Sequence, residues 1–220
     1  MTFSILARDM NSDAIGGAAA TGSLCVGGWV LRGDPRAGMS ASQGASPSTF
    51  WGEDVLAAMR SGQMAEDAVC KVVMADCGRD HRQLSALGLT GYGAAFTGTE
   101  NTPENGSIAI KGGIVAGNML TSKDVLGAMA ETFEQVTDNL AQRLLSSLNA
   151  GHKAGSDMRG LQSAALLIVS PDHAPLTLRV DYHETPLLAL EDLYRRATTG
   201  DYAEWSRQVP TLTQRERILG

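Results

Sequence analysis

The sequence predicts an α+β protein arranged as a four-layer α-β-β-α sandwich. Two helix pairs, near residues 47–77 and 122–150, are each preceded by a group of short strands. Strands and helices do not alternate singly, which argues against a doubly wound parallel sheet. Two stacked antiparallel sheets leave their outer faces bare, and two helix pairs supply the cover. With 220 residues, 43% hydrophobic and 19% charged, the chain can build one sizeable core. No linker or low-complexity segment marks a boundary, so a single domain over residues 1–220 is expected.

The elements follow in order. "TFSILAR" (2–8) is a strand, "MNSD" a turn, and "AIGGAAATG" (14–22) a strand of small side chains suited to close sheet packing. "LCVGGWVL" (24–31) and "AGMSASQG" (37–44) read as two more strands. Ser46-Pro47 is a candidate N-cap and first-turn pair. The helix after it carries Phe50, Val55, Leu56 and Met59 on one face and stops at Gly62. A second helix, with Ala68, Val69, Val72 and Val73 at helical spacing, stops near Gly78. "RQLSALGLT", "GYGAAFTG" and "IAIKGGIVAGNML" then read as strands. Thr121 and Asp124 suit a capping box for a helix with Val125, Ala128, Met129 and Phe133 inward. Asp138 opens a helix with Leu140, Leu144, Leu145 and Leu148 inward and Gly151 at its close. "SAALLIVS" and "LTLRVDYH" are two further strands, and a helix and polar tail fill 186–220.

The net charge of −6 argues against nucleic acid or an anionic membrane as partner. No apolar run approaches the roughly 18 residues of a membrane span. Arg8 and Asp9 interrupt the first apolar run, so no signal peptide is expected. Cys25, Cys70 and Cys77 fit no zinc or CxxC spacing. A reducing, cytoplasmic setting is expected, with no cofactor and no metal, and a homo-oligomer is allowed. There is no GxGxxG before a helix, no P-loop and no Gly-x-Ser-x-Gly elbow.

Thr2 directly follows Met1 and heads the first strand. Aminopeptidase removal of Met1 would leave the Thr2 hydroxyl beside its own α-amine, a nucleophile–base pair used by one class of hydrolases. An α-amine has an ordinary pKa of about 7.7–8.0, near working pH. Asp9, Thr21 and Ser23 lie at the ends of the first two strands. If these strands pair as a hairpin, Asp9 or Ser23 is a candidate to orient the amine, with turn and cap roles as the alternative. Ser40 and Ser42 share a strand face. Ser42 and Gln43 are candidates for binding substrate, although neighbouring backbone is the favoured partner for the serines.

Five segments occur in order: "TFSILARD", "GMSASQG" near 40, "AGNML" at 116–120, "GSDMRGLQSAALLIV" at 155–169 and "LRVDYH" at 178–183. Together they resemble the family called domain of unknown function 1028, from residue 1 to about 195. Arg159 to Ala165 is the most specific stretch. The resemblance implies the fold of the N-terminal nucleophile hydrolases, the same four-layer sandwich. It also draws attention to Asn118, an amide that can cap a helix or donate to an oxyanion. Family members often carry a lysine just after the second strand, where this chain reads Thr21-Gly22-Ser23; Arg32 is the candidate substitute.

Asp157, Arg159, Gln162 and Ser163 form the richest polar cluster beside an apolar strand. Arg159 and Gln162 are candidates for gripping a substrate carboxylate, or Asp157 and Arg159 brace the loop as a pair. Asp181 and His183, two apart in a strand, share a face and offer two metal ligands. The leading expectation is an amide hydrolase with Thr2 as nucleophile, acting on a small-molecule or peptide-like amide. A non-catalytic protein binding a small acidic ligand is the alternative, and a metal-assisted hydrolase the third reading.

Overall fold

The structure, a computed structural model, describes residues 2–155 and 160–219. Among the described residues, ten strands form two antiparallel sheets. β1 (Thr2–Arg8) lies inside the larger one, between β2 (Ile15–Thr21) and β8 (Gly113–Leu120). β9 (Ser163–Val169) and β10 (Leu176–Val180) extend it beyond β2, and β7 (Glu104–Ile110) borders β8, giving the order β10-β9-β2-β1-β8-β7. The smaller sheet runs β3 (Leu31–Asp34), β4 (Gly38–Gly44), β5 (Arg82–Gly88), β6 (Gly93–Thr97).

Alternation along β1 divides two cores. Phe3, Ile5 and Ala7 point to one face, where they pack with α4 (Asp124–Gln135) and α5 (Leu140–Lys153). Leu6 points to the other, among Met39, Ala41 and Leu87 of the smaller sheet. A third core joins Leu84 and Ala86 of β5 to α2 (Thr49–Arg60) and α3 (Ala65–Met74). Helices, sheet, sheet and helices therefore stack in four layers, as the element order predicts. α6 (Pro186–Ala197) adds Leu187 and Leu190 to the first core, over β9 and β10.

Several local expectations are corrected. "LCVGGWVL" is not one strand: α1 (Val26–Trp29) occupies its middle and β3 begins at Leu31. α2 starts after Ser48, not Ser46, and it buries Trp51 while Phe50 is exposed. Thr121 does not cap α4: the N-cap position is Lys123, without a side-chain cap, and the Ser122 hydroxyl just before it accepts from the Asp124 N–H. Asn139 caps α5 by accepting from the Gln142 N–H, and Gly151 lies inside that helix, which runs on to Lys153. The tail contains one more helix, α7 (Gly200–Ser206). Asp181 and His183 follow β10 instead of lying in it. No described helix is long and apolar enough to cross a membrane.

Candidate active site

The β1–β2 hairpin puts Thr2 opposite Thr21, and the β1–β8 pairing puts Thr2 opposite Asn118. The alternation that sends Leu6 between the sheets sends Thr2, Thr21 and Asn118 there too. From the smaller sheet, Gln43, Gln83 and Thr97 share the inward faces of Ala41, Leu87 and Ala95. One end of the inter-sheet layer is therefore polar.

A cavity of about 820 Å³ opens at that end. Thr2, Thr21, Ser23, Gln43, Ser46 and Thr102 supply polar lining, and Leu24, Val26, Trp29, Val30, Pro47 and Met119 much of the apolar wall. Thr2 is 8% exposed, and its hydroxyl donates to Thr21 Oγ1 at 3.1 Å. None of the described lining residues is Asp, Glu, Lys, Arg or His.

Beside Thr2 lies a buried amide network. The Gln83 amide nitrogen faces Thr97 Oγ1 at 2.8 Å and the carbonyls of Gly117 and Gly106 at 2.8 and 3.1 Å. Gln83 Oε1 accepts from Gln43 Nε2 at 2.6 Å and from Asn118 Nδ2 at 3.1 Å. Two main-chain carbonyls can face only an N–H donor, so the orientation of Gln83 is fixed. It follows that Gln43 and Asn118 must both turn their NH₂ groups inward. Their carbonyl oxygens, Gln43 Oε1 and Asn118 Oδ1, are buried without a partner.

The backbone around this end is shaped for the site. Asn118 and Met119 stand opposite the single residue Asn105 of β7, a bulge marked by the register shift between Glu104 and Gly106. Met119 has φ 53, a left-handed conformation costly for a non-glycine residue. Bulges beside functional sites re-aim side chains. Gly44, at the cavity wall with φ +132, leaves a Cβ only 2.7 Å from the His81 carbonyl oxygen.

Fully buried Asn101 ties the walls together. Its Oδ1 accepts from the Ala45 N–H at 2.9 Å, its Nδ2 faces the Gly98 carbonyl at 2.9 Å, and its carbonyl accepts from the Met119 N–H at 3.2 Å. Across the cavity, the Ser163 hydroxyl donates to the Ser23 carbonyl at 2.7 Å and accepts from the Val26 N–H at 3.1 Å.

The structure thus brings Thr2, Ser23, Asn118 and Gln43 to one end of the sandwich, with Asn118 inside a strand instead of ahead of a helix. Gln162 touches this end through its backbone, where its N–H donates to the Thr21 carbonyl at 2.9 Å. Asp9 is corrected. It follows the far end of β1, about 23 Å of strand from Thr2, and accepts from the Asn11 N–H and the Ser12 hydroxyl in the turn. Ser42 is corrected too: it faces α2, bonding the Ser48 carbonyl at 2.7 Å, while Ser40 bonds that of Gly52 at 2.9 Å. Arg32 lies against Glu53 of α2 at 3.6 Å and substitutes for no lysine near Thr2. Arg159 and Asp157 lie outside the described residues.

Asp181 is engaged by Arg179 at 2.9 Å, and His183 Nδ1 accepts from the Thr185 N–H at 2.9 Å. Neither converges on a metal geometry, and no group of three or more His, Cys, Asp or Glu does so among the described residues.

Gln83 and Asn101 are the residues that sequence reasoning missed. β5 is buried on both faces, so no polar–apolar alternation sets Gln83 apart. Asn101 sits in a loop where asparagine signals an ordinary turn.

No curated protein matches the chain. Among solved structures, protein SPO2555 from Silicibacter pomeroyi, assigned to the DUF1028 family model, is 58% identical. Its crystal structure aligns with a TM-score of 0.96 over 100% of this chain and 99% of that one. The family model described as "family of unknown function (DUF1028)" matches residues 2–190, and the chain belongs to that family.

Proposed function

We propose that the protein is an amide hydrolase of the N-terminal nucleophile type, with the fold of that superfamily, acting on a small-molecule or peptide-like amide. The observation that carries the reading is the position of Thr2. The residue that loss of Met1 would expose lines the cavity between the sheets. Its hydroxyl is held by Thr21, and its strand partner is Asn118.

In this mechanism Thr2 Oγ1 attacks the substrate carbonyl carbon, and the freed α-amine takes the hydroxyl proton. The negative charge that develops on the carbonyl oxygen needs donors already in place. Asn118 commits one amide N–H to Gln83 and keeps a second for that charge. The α-ammonium then returns the proton to the departing nitrogen, and water hydrolyses the resulting ester on Thr2. Ser23 remains the candidate for holding the amine from the cavity wall. No cofactor, nucleic acid or membrane enters this scheme.

A binding protein using the same cavity is the second reading. It is favoured by the lack of any acidic, basic or histidine side chain among the described lining residues, none of which could share the role of general base with the amine. The test is hydrolysis of an amide panel by protein beginning at Thr2, beside its Thr2→Ala variant. Turnover lost in the variant supports the hydrolase. Full turnover in the variant, or no turnover by either, transfers the cavity to the binding reading.

A further inference from the structure

We propose that the cavity receives a neutral, N–H-donating head group of the primary carboxamide class on the bare carbonyl oxygens of Gln43 and Asn118, with Gln83 as the residue that aims them. This deepens the hydrolase reading of the same cavity by naming the substrate class.

Gln83 is locked by the carbonyls of Gly117 and Gly106, so neither Gln43 nor Asn118 can turn over to satisfy its own oxygen. Gln43 is 1% exposed and lines the cavity, and its Oε1 has no partner. Asn118 lies directly opposite cavity-lining Thr2 and one residue before cavity-lining Met119, and its Oδ1 has none either. A buried acceptor without a donor is destabilising, and these two belong to side chains that meet at one atom, Gln83 Oε1. A ligand that brings two N–H groups removes both defects at once, and a primary carboxamide carries two on one nitrogen.

The bare acceptors and the described lining favour an uncharged ligand. Among the described lining residues no side chain is ionisable, so none of them offers an ammonium a counter-charge for its desolvation. A carboxylate brings only acceptors and would face the two bare oxygens. Trp29, Leu24, Val26, Val30, Pro47 and Met119 offer an apolar surface for the rest of the molecule.

The test is binding without turnover, in the Thr2→Ala protein, so that failure of this inference and failure of the hydrolase reading are separate results. Hexanamide, the isosteric ketone 2-heptanone, hexanoate and hexylammonium are titrated by NMR. Hexanamide is expected to bind at least about tenfold more tightly than the ketone, the worth of one good hydrogen bond. It should also outbind both ions, and Gln43→Met should reduce the preference over the ketone to about twofold or less. Equal or tighter binding of the ketone or either ion would overturn the proposal. So would no binding by hexanamide, or a preference undiminished in folded Gln43→Met protein. The four-probe comparison decides the matter even if that variant does not fold.

Discussion

Replacing Gln83 with methionine keeps roughly the volume of the side chain and deletes its amide. Gln83 is fully buried. Its Oε1 accepts two hydrogen bonds, from Gln43 and Asn118. Its two N–H groups choose among Thr97 Oγ1 and the carbonyls of Gly106 and Gly117. About four bonds are therefore made at once. At about 1 kcal/mol net each, with little cavity penalty from a near-isosteric swap, Gln83→Met should cost about 4 kcal/mol. That is a large part of the roughly 5–15 kcal/mol typical of a folded domain.

Urea unfolding followed by circular dichroism reads the loss from the midpoint and slope. A loss below about 1 kcal/mol would refute the network as a structural anchor. Gln83→Glu separates chemistry from shape, because a carboxylate oxygen would then face the Gly117 carbonyl. Burial and that carbonyl raise such a carboxyl's pKa above the ordinary value of about 4.3, so the variant should regain stability on acidification. A Gln83→Glu protein as stable as the parent at neutral pH would contradict the fixed orientation.

Leu145, 2% exposed in the core beneath the larger sheet, should cost about 2–5 kcal/mol when cut to alanine, and an unchanged midpoint in urea would contradict its burial. The Arg82 guanidinium, then the Gly78 N–H, hold the Asp76 carboxyl below the ordinary carboxylate range. Their stabilisation is present above the ordinary pKa of about 3.9 and is lost as pH falls through the lower folded value. Asp76→Asn should therefore be less stable than the parent at pH 7, with the gap closing in strong acid; a gap constant with pH would contradict the pairing. The acidic chain should show no submicromolar, salt-sensitive binding to a random oligonucleotide, and fluorescence anisotropy checks this.

The layered architecture was legible because its signals are local. α5 announces itself through Leu140, Leu144, Leu145 and Leu148 on one stripe, and all four are buried. Short glycine-punctuated apolar runs likewise located most strands. "LCVGGWVL" misled because its helix is four residues long and is held by distant groups. The Ser163 hydroxyl takes the Val26 N–H, and the Asp181 carbonyl takes that of Cys25. Composition cannot report either contact. Trp51, not Phe50, turned inward because Arg82 and Phe96 supply its neighbours, again from distant strands.

At the site, hairpin reasoning placed Thr2 beside Thr21, and the same geometry removed Asp9 to the opposite end of the strand. Strand alternation put Ser40 and Ser42 on one face without saying which layer that face meets. It meets α2, and Gln43 alone turns to the cavity. The bulge that carries Asn118 and Met119, and the amide network behind it, arise from pairing between strands far apart in sequence.

The central claim is that the working protein starts at Thr2 and uses its hydroxyl and α-amine together. The mass of the N-terminal peptide, measured on amide-hydrolysing protein purified from its native host, tests it most directly. The account predicts a peptide that begins at Thr2 with an unmodified amine. Met1 still attached in the active protein, or an acylated Thr2 amine, would contradict it, because the blocked nitrogen could not take the hydroxyl proton.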